Sequence, residues 1–227
     1  MKKMCVSDVV IDYNLHPRGD VDNTHCRYMR IAIEGGTQLP PPTVDKKSKR
    51  VSDGVHRILT YRRMDPAMVI DVIEKEYHSE SEMFEDAIRM NSHHGRNLSP
   101  YDRVHCIVRA EELGLSVEKV AMALSMTIEA VQELRVDRVS KQRLTVSGAT
   151  PEQIPIKRTI SHMAGKTLTA RQVLANEKLG GMAQTFYVNQ VIELIESDLV
   201  EKSNENLIAR MNHLSEILRD YLKGVSP

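Results

Sequence analysis

The sequence predicts an α+β N-terminal domain followed by an all-α helical region that includes a helix-turn-helix. Two observations carry that expectation. Residues 6 to 77 switch every few positions between strand-like and helix-like runs, punctuated by Gly35-Gly36 and Pro40-Pro-Pro42, which is the pattern of a small mixed domain. From Ser79 onward helix-start signatures recur along the chain. The 227 residues suffice for one or two domains with proper cores, and a hydrophobic content of 41% with 27% charged residues is ordinary for a globular chain.

The elements follow in order. Asp22 or Asn23 caps a helix that runs to Gly35, pairing a polar N-cap with a terminal glycine. Pro40-Pro-Pro42 forbids helix and leads into an extended segment. Val51-Ser-Asp-Gly-Val-His-Arg-Ile-Leu-Thr-Tyr-Arg-Arg63 reads as a strand, a lone glycine and a basic helix. Met68-Val-Ile-Asp-Val-Ile73 fits either a helix started by Asp65-Pro66 or a β-branched strand. In the helical part, Ser79-x-x-Glu82 is a capping box, Ser99-Pro100 places proline at the first helical position, and Thr150-Pro-Glu-Gln153 and Thr169-Ala-Arg-Gln172 repeat the helix-start logic. Gly114 and Gly180-Gly181 are stops, and Ser140 to Thr150 reads as a flexible stretch. We therefore divide the chain at 1–95, 96–145 and 146–227.

The turn at Gly54 carries the chemistry. A strand that ends in glycine and opens a helix presents free backbone N–H groups and the positive end of a helix dipole to an anion, and His56 and Arg57 in the first turn add hydrogen bonds and charge. Between Lys46 and Arg63 there are seven Lys/Arg residues against Asp53 alone, a field that steers an anion inward. Phosphate is the expected guest.

This arrangement resembles the ParB and sulfiredoxin superfamily, whose members place a Gly-x-x-Arg or Gly-x-His-Arg phosphate-binding turn after a strand. Upstream, Leu15-His16-Pro17-Arg18 resembles the family's first nucleotide-binding segment. Downstream, Asn91-Ser-His-His-Gly-Arg-Asn-Leu-Ser-Pro-Tyr-Asp102 resembles the segment that supplies a third set of phosphate or metal contacts. The resemblance spans residues 6 to 140 and lies more in segment order than in any one motif. It implies a ParB/sulfiredoxin-like domain over 1–95 with a strand at Met68 to Ile73. It also implies a nucleotide, CTP or ATP with Mg²⁺, held by Arg18, Gly54, His56, Arg57, Asn91, His93 and His94. Three departures matter. Val55 stands where sulfiredoxins carry the reactive cysteine, which removes their thiol chemistry. Gly54-Val-His-Arg57 replaces ParB's Gly-Glu-Arg-Arg, and Met90-Asn91 replaces Glu-Asn, so a hard oxygen ligand for Mg²⁺ is missing.

Val117 to Leu134 fits a helix-turn-helix, with Val120, Ala121 and Leu124 buried on the first helix, Ser125-Met126-Thr127 as the turn, and Ile128, Val131 and Leu134 facing inward from the second. Double-stranded DNA is the expected partner. Thr127 and Gln132 are the expected base readers and Arg135, Arg138, Lys141 and Arg143 the phosphate contacts, since Glu129 and Glu133 on the same helix repel the backbone. Residues 135 to 178 hold nine Lys/Arg against three acids, so a zero net charge conceals a local basic segment.

Near the end of the chain Val188, Val191, Ile192, Ile195 and Leu199 form one apolar stripe. Leu207, Met211, Leu214 and Leu218, with Tyr221, form a second that either packs on the first or makes a homodimer seam. Composition excludes other classes. Two Phe and no Trp disfavour a stacked-aromatic single-strand binder, and three scattered cysteines indicate neither a disulfide framework nor a zinc finger. No metal site is expected at His93-His94, because adjacent helical residues diverge. Without a signal-peptide core or an apolar run of membrane-spanning length, the expectation is a cytoplasmic protein with no membrane partner. The leading expectation is a ParB-like DNA-binding protein of partition or regulatory type. A phosphotransferase or nuclease on the same fold, with Asp53, Glu34 or His56 as base, is the second reading, and a protein-interaction module is the third.

Overall fold

Four short strands pair into a sheet in the order β1-β4-β2-β3, formed by β1 (Lys2–Cys5), β2 (Thr43–Asp45), β3 (Val51–Asp53) and β4 (Val69–Lys75). The computed structural model describes residues 1–93, 97–142 and 151–225. The described chain divides into two units, Met1–Gly181 and Met182–Pro227.

In the first unit β1 and β3 run antiparallel to their neighbours, whereas β2 and β4 are parallel. Along β4, Ile70 and Val72 are buried while Val69, Asp71 and Ile73 are exposed, the period-two pattern that makes this segment a strand. Helices α1 (Asn23–Glu34) and α2 (Val55–Met64) pack together. Asp22 caps α1 by accepting from the His25 N–H. Val55 and Ile58 of α2 share a core with Met4, Val6, Val44, Val51 and Val72.

A second core joins this layer to the helices that follow. It unites Leu15 and Tyr77 with Met83, Phe84 and Ile88 of α3 (Glu80–His93), Cys106 and Ile107 of α4 (Pro100–Glu112), Val120 and Leu124 of α5 (Val117–Leu124), and Val131 of α6 (Ile128–Arg138). A buried polar network reinforces the junction: the Tyr77 hydroxyl donates to Asp86 on α3 at 2.6 Å and meets Ser52 of β3 at 3.0 Å, and Lys75 donates to the same Asp86 at 2.8 Å. Ser99 and Asp102 form a full capping box on α4 with proline at its start. Between α5 and α6, Ser125 adopts the left-handed conformation (φ 53°, ψ 47°) that the turn demands and glycine would take more cheaply.

The expectation of an all-α region after Ser79 is corrected by a second sheet in the order β6-β5-β7, from β5 (Val139–Gln142), β6 (Glu152–Pro155) and β7 (Thr167–Leu168). Of Thr150-Pro-Glu-Gln153, Thr150 lies outside the described residues, and Glu152 and Gln153 belong not to a helix but to β6, paired antiparallel with β5. Of the stretch Ser140 to Thr150, Ser140 to Gln142 belong to β5, the Ser140 hydroxyl donating to the Met163 carbonyl at 2.6 Å, and residues 143–150 lie outside the described residues. Strands of two to four residues stabilised by distant partners leave no periodicity to read. Thr169 and Gln172 do form the expected capping box on α7 (Ala170–Lys178).

In the second unit, α8 (Gln184–Glu196) and α9 (Glu205–Lys223) each lack a single buried residue. Their apolar stripes stay open, with Ile195, Leu199, Leu214 and Leu218 all exposed and Leu207 and Met211 half-buried. No helix among the described residues is long and apolar enough to cross a membrane.

Candidate functional site

The Gly54 turn forms the floor of a cavity of about 590 Å³. Gly54 has φ 96°, and a Cβ there would lie 2.8 Å from both Pro42 Cβ and Arg57 Nε, so this position demands glycine for conformation and for space. Val55 then opens α2 directly, with its first-turn N–H groups free of any side-chain cap.

Histidines line the polar half. His56 is buried; its Nε2 accepts from the Asp22 N–H at 3.0 Å, and its ring stands 5.6 Å from that of His16 and 5.5 Å from that of His25. His16 is 4% exposed, and neither of its ring nitrogens has a hydrogen-bond partner among the described residues. Burial, followed by charge on His56, Arg18 and His105, pushes the His16 pKa down from 6.5 to about 3, against a weaker opposite pull from Asp102. Arg18 lies beside this ring, donating to the Asn97 carbonyl at 3.4 Å and standing 3.9 Å from the Asp102 carboxylate.

Arg57 is held from two sides. Its Nη1 donates to the Pro40 and Pro41 carbonyls at 2.6 and 3.1 Å, and its Nη2 pairs with Asp53 at 2.5 Å. It thereby pins the Leu39–Pro41 rim to the turn. Met29, Leu39, Pro40, Ile73 and Met90 add apolar surface to the lining. A lining that mixes polar and apolar side chains suits a ligand that joins an anionic group to a flat organic one.

Arg18, Gly54, His56, Arg57 and Asn91 thus line one cavity, although Asn91 turns its amide N–H onto the Ala87 carbonyl of its own helix at 2.9 Å. His93 ends α3, and His94 lies outside the described residues. His16, Asp22, His25 and Asp53 line the same cavity without having been expected as binding residues. His16 carries a signal in the sequence as a histidine between Leu15 and Pro17 in a motif already described, and Asp53 as the lone acid of the basic stretch. Of the three bases considered, Asp53 is engaged by Arg57, Glu34 pairs with Arg30 at 2.7 Å on the exposed end of α1, and His56 is fixed by Asp22.

Among the described residues no group of three or more His, Cys, Asp or Glu side chains is arranged for a metal, and Asp22 and Asp53 already serve α1 and Arg57.

On the second site, Thr127 caps α6 by accepting from the Ala130 N–H, and Gln132 is exposed. Arg135 pairs with Glu111, Arg138 is half-buried at the end of α6, Lys141 is exposed on β5, and Arg143 lies outside the described residues. Glu129 and Glu133 are exposed on the same helix as Gln132.

No protein-family model matches the chain, and no curated protein matches it. Among solved structures, it is similar to the C-terminally truncated chromosome-partitioning protein ParB from Caulobacter crescentus complexed to the centromeric parS site, at 13% identity over 60% of this chain and 71% of that one, with a TM-score of 0.43. The likeness is to ParB. The same Caulobacter crescentus protein complexed with CTP-γ-S matches at 14% identity over 60% of this chain and 77% of that one, with a TM-score of 0.37. A Pnob8-like ParB-N domain matches at 12% identity over 68% of this chain and 56% of that one, with a TM-score of 0.39.

Proposed function

We propose that the protein is a ParB-like DNA-binding protein of partition or regulatory type whose first unit binds a nucleotide through its phosphates. One observation carries this reading: the obligatory glycine at the start of α2 opens onto a cavity lined by apolar side chains and by a buried histidine whose two ring nitrogens have no partner among the described residues. The helix N-terminus, the histidines and Arg57 suit the phosphates, and Met29, Leu39 and Met90 suit a base. CTP and ATP are the nucleotides proposed, bringing any Mg²⁺ with them.

Duplex DNA is the proposed partner of the α5–turn–α6 hairpin. The left-handed Ser125 and the buried Val120, Ala121, Leu124 and Val131 support a rigid helix pair; Thr127 and Gln132 are the residues proposed to read bases, and Arg135 and Arg138 of α6, Lys141 of β5 and Arg143, which lies outside the described residues, those proposed for phosphates. Homodimerisation through Leu207, Met211, Leu214 and Leu218 is proposed from the open stripe of α9, because isolated helices with contiguous exposed apolar faces are covered by partners.

Fluorescence anisotropy of a labelled duplex, read with and without CTP, tests the reading. Binding at low salt that changes on adding CTP is expected. Absence of binding to any duplex under both conditions rejects the DNA assignment and leaves α5 and α6 as a packing hairpin.

A further inference from the structure

Asp53 is the only acid between Lys46 and Arg63, and it stands one residue before the glycine that opens the anion site. A carboxylate at that place opposes an anion, yet its geometry is specific. It lies on the cavity wall, its side chain is 23% exposed, and from the end of β3 it takes the Arg57 Nη2 of α2 at 2.5 Å. The other terminal nitrogen of Arg57 is committed to the Pro40 and Pro41 carbonyls. The cation that a guest anion would use is therefore already paired through Nη2 with a carboxylate of the chain itself.

We propose that Asp53 competes with the guest for the Arg57 guanidinium and so selects ligands that end in a phosphate monoester, such as nucleoside di- and triphosphates, over singly charged phosphodiesters and carboxylates. The inference rests on the reading of this cavity as a phosphate site. An anion drawn to the first-turn N–H groups of α2 and to Arg57 must either abut the Asp53 carboxylate or displace it, because the two side chains are in contact. A singly charged phosphodiester offers Arg57 no more charge than Asp53 already does and leaves the displaced carboxylate beside it. A terminal phosphate near neutral pH carries close to two charges on three equivalent oxygens, and it can take Arg57 while still accepting from the helix N-terminus. Arg57 has a second duty on the cavity rim, so Asp53 is the member of the pair whose charge can be removed without dismantling the wall.

Titration calorimetry of the full chain with CTP and with 3′,5′-cyclic CMP, on wild type and Asp53→Asn, tests this. Asparagine keeps an acceptor for Arg57 and removes only the charge; Asp53→Ser serves as a second neutral variant, and melting temperatures report whether each is folded. Wild type is expected to bind CTP at least tenfold more tightly than the cyclic ester. The neutral variants are expected to bind both more tightly, the cyclic ester by tenfold or more, so that the preference narrows. A folded neutral variant with unchanged or weaker affinity and the same preference overturns the competition while leaving the phosphate site in place. Failure of wild type and both variants to bind either ligand overturns the phosphate site as well.

Discussion

Replacing His16 with phenylalanine is expected to stabilise the fold at neutral pH and to blunt its acid sensitivity. The His16 ring is 4% exposed and has no hydrogen-bond partner for either nitrogen among the described residues, so the protein bears the cost of burying two polar atoms. Relieving such a cost is worth on the order of 1 kcal/mol. The larger effect is linkage. Unfolded, His16 takes a proton near its ordinary pKa of 6.5, whereas the folded chain holds it down to about 3. Between those values the unfolded state binds more protons, so the stability is complete above the unfolded pKa and is lost as pH falls through the window, by about 1.4 kcal/mol per unit. From pH 8 to pH 5 the sum is about 2 kcal/mol. Urea denaturation of wild type and His16→Phe across that range reads it directly. His105, whose pKa is also lowered, chiefly by burial, leaves a residual slope of the same sign in the variant. If His16→Phe loses as much stability on acidification as wild type, the ring is not held neutral by its surroundings. If the variant is less stable by more than about 1 kcal/mol at pH 8, the nitrogens have a partner that the phenyl ring cannot replace.

Gly54→Ala is expected to cost about 2 to 4 kcal/mol, combining a left-handed β-carbon with overlap against Pro42 and Arg57, and a loss under about 0.5 kcal/mol in urea denaturation would contradict the geometry. Duplex affinity is expected to fall with salt along a log–log slope of about −3 to −4, one unit per phosphate neutralised by Arg135, Arg138, Lys141 and Arg143, and each Arg→Ala change should flatten it by about one. A slope that stays the same in all three Arg→Ala variants would remove these residues from the phosphate contacts. Light scattering is expected to show a dimer that Leu214→Glu with Leu218→Glu converts to a monomer; a wild-type monomer at high concentration would return the α9 stripe to its own chain.

Much of the N-terminal layer was legible because its signals are local. Asp22 caps α1 and Gly54 opens α2 through bonds and dihedral angles set within a few residues, and the same holds for Ser99 and Thr169 further on. Ser125 shows a local rule obeyed by a residue that only tolerates it, since the buried faces of α5 and α6 force the left-handed turn. The second sheet was not legible. Ser140 is ordered by Ile154 across the sheet and by Met163 beyond it, partners that no window of sequence contains. In the cavity, Gly54, His56 and Arg57 announce themselves as a motif. His16 and Asp53 acquire their meaning only when the fold brings the rings of His16 and His56 within 5.6 Å and sets Asp53 against Arg57.

The decisive measurement on the phosphate cavity varies the ligand rather than the protein. Calorimetric titration of the wild-type chain with CTP, ATP, inorganic phosphate and cytidine separates the contribution of the phosphates from that of the base. CTP or ATP is expected to bind well below millimolar concentration, inorganic phosphate more weakly, and cytidine not at all. Cytidine binding as tightly as CTP, or no heat from any phosphate-bearing ligand at millimolar concentration, would contradict an anion site at Gly54, His56 and Arg57.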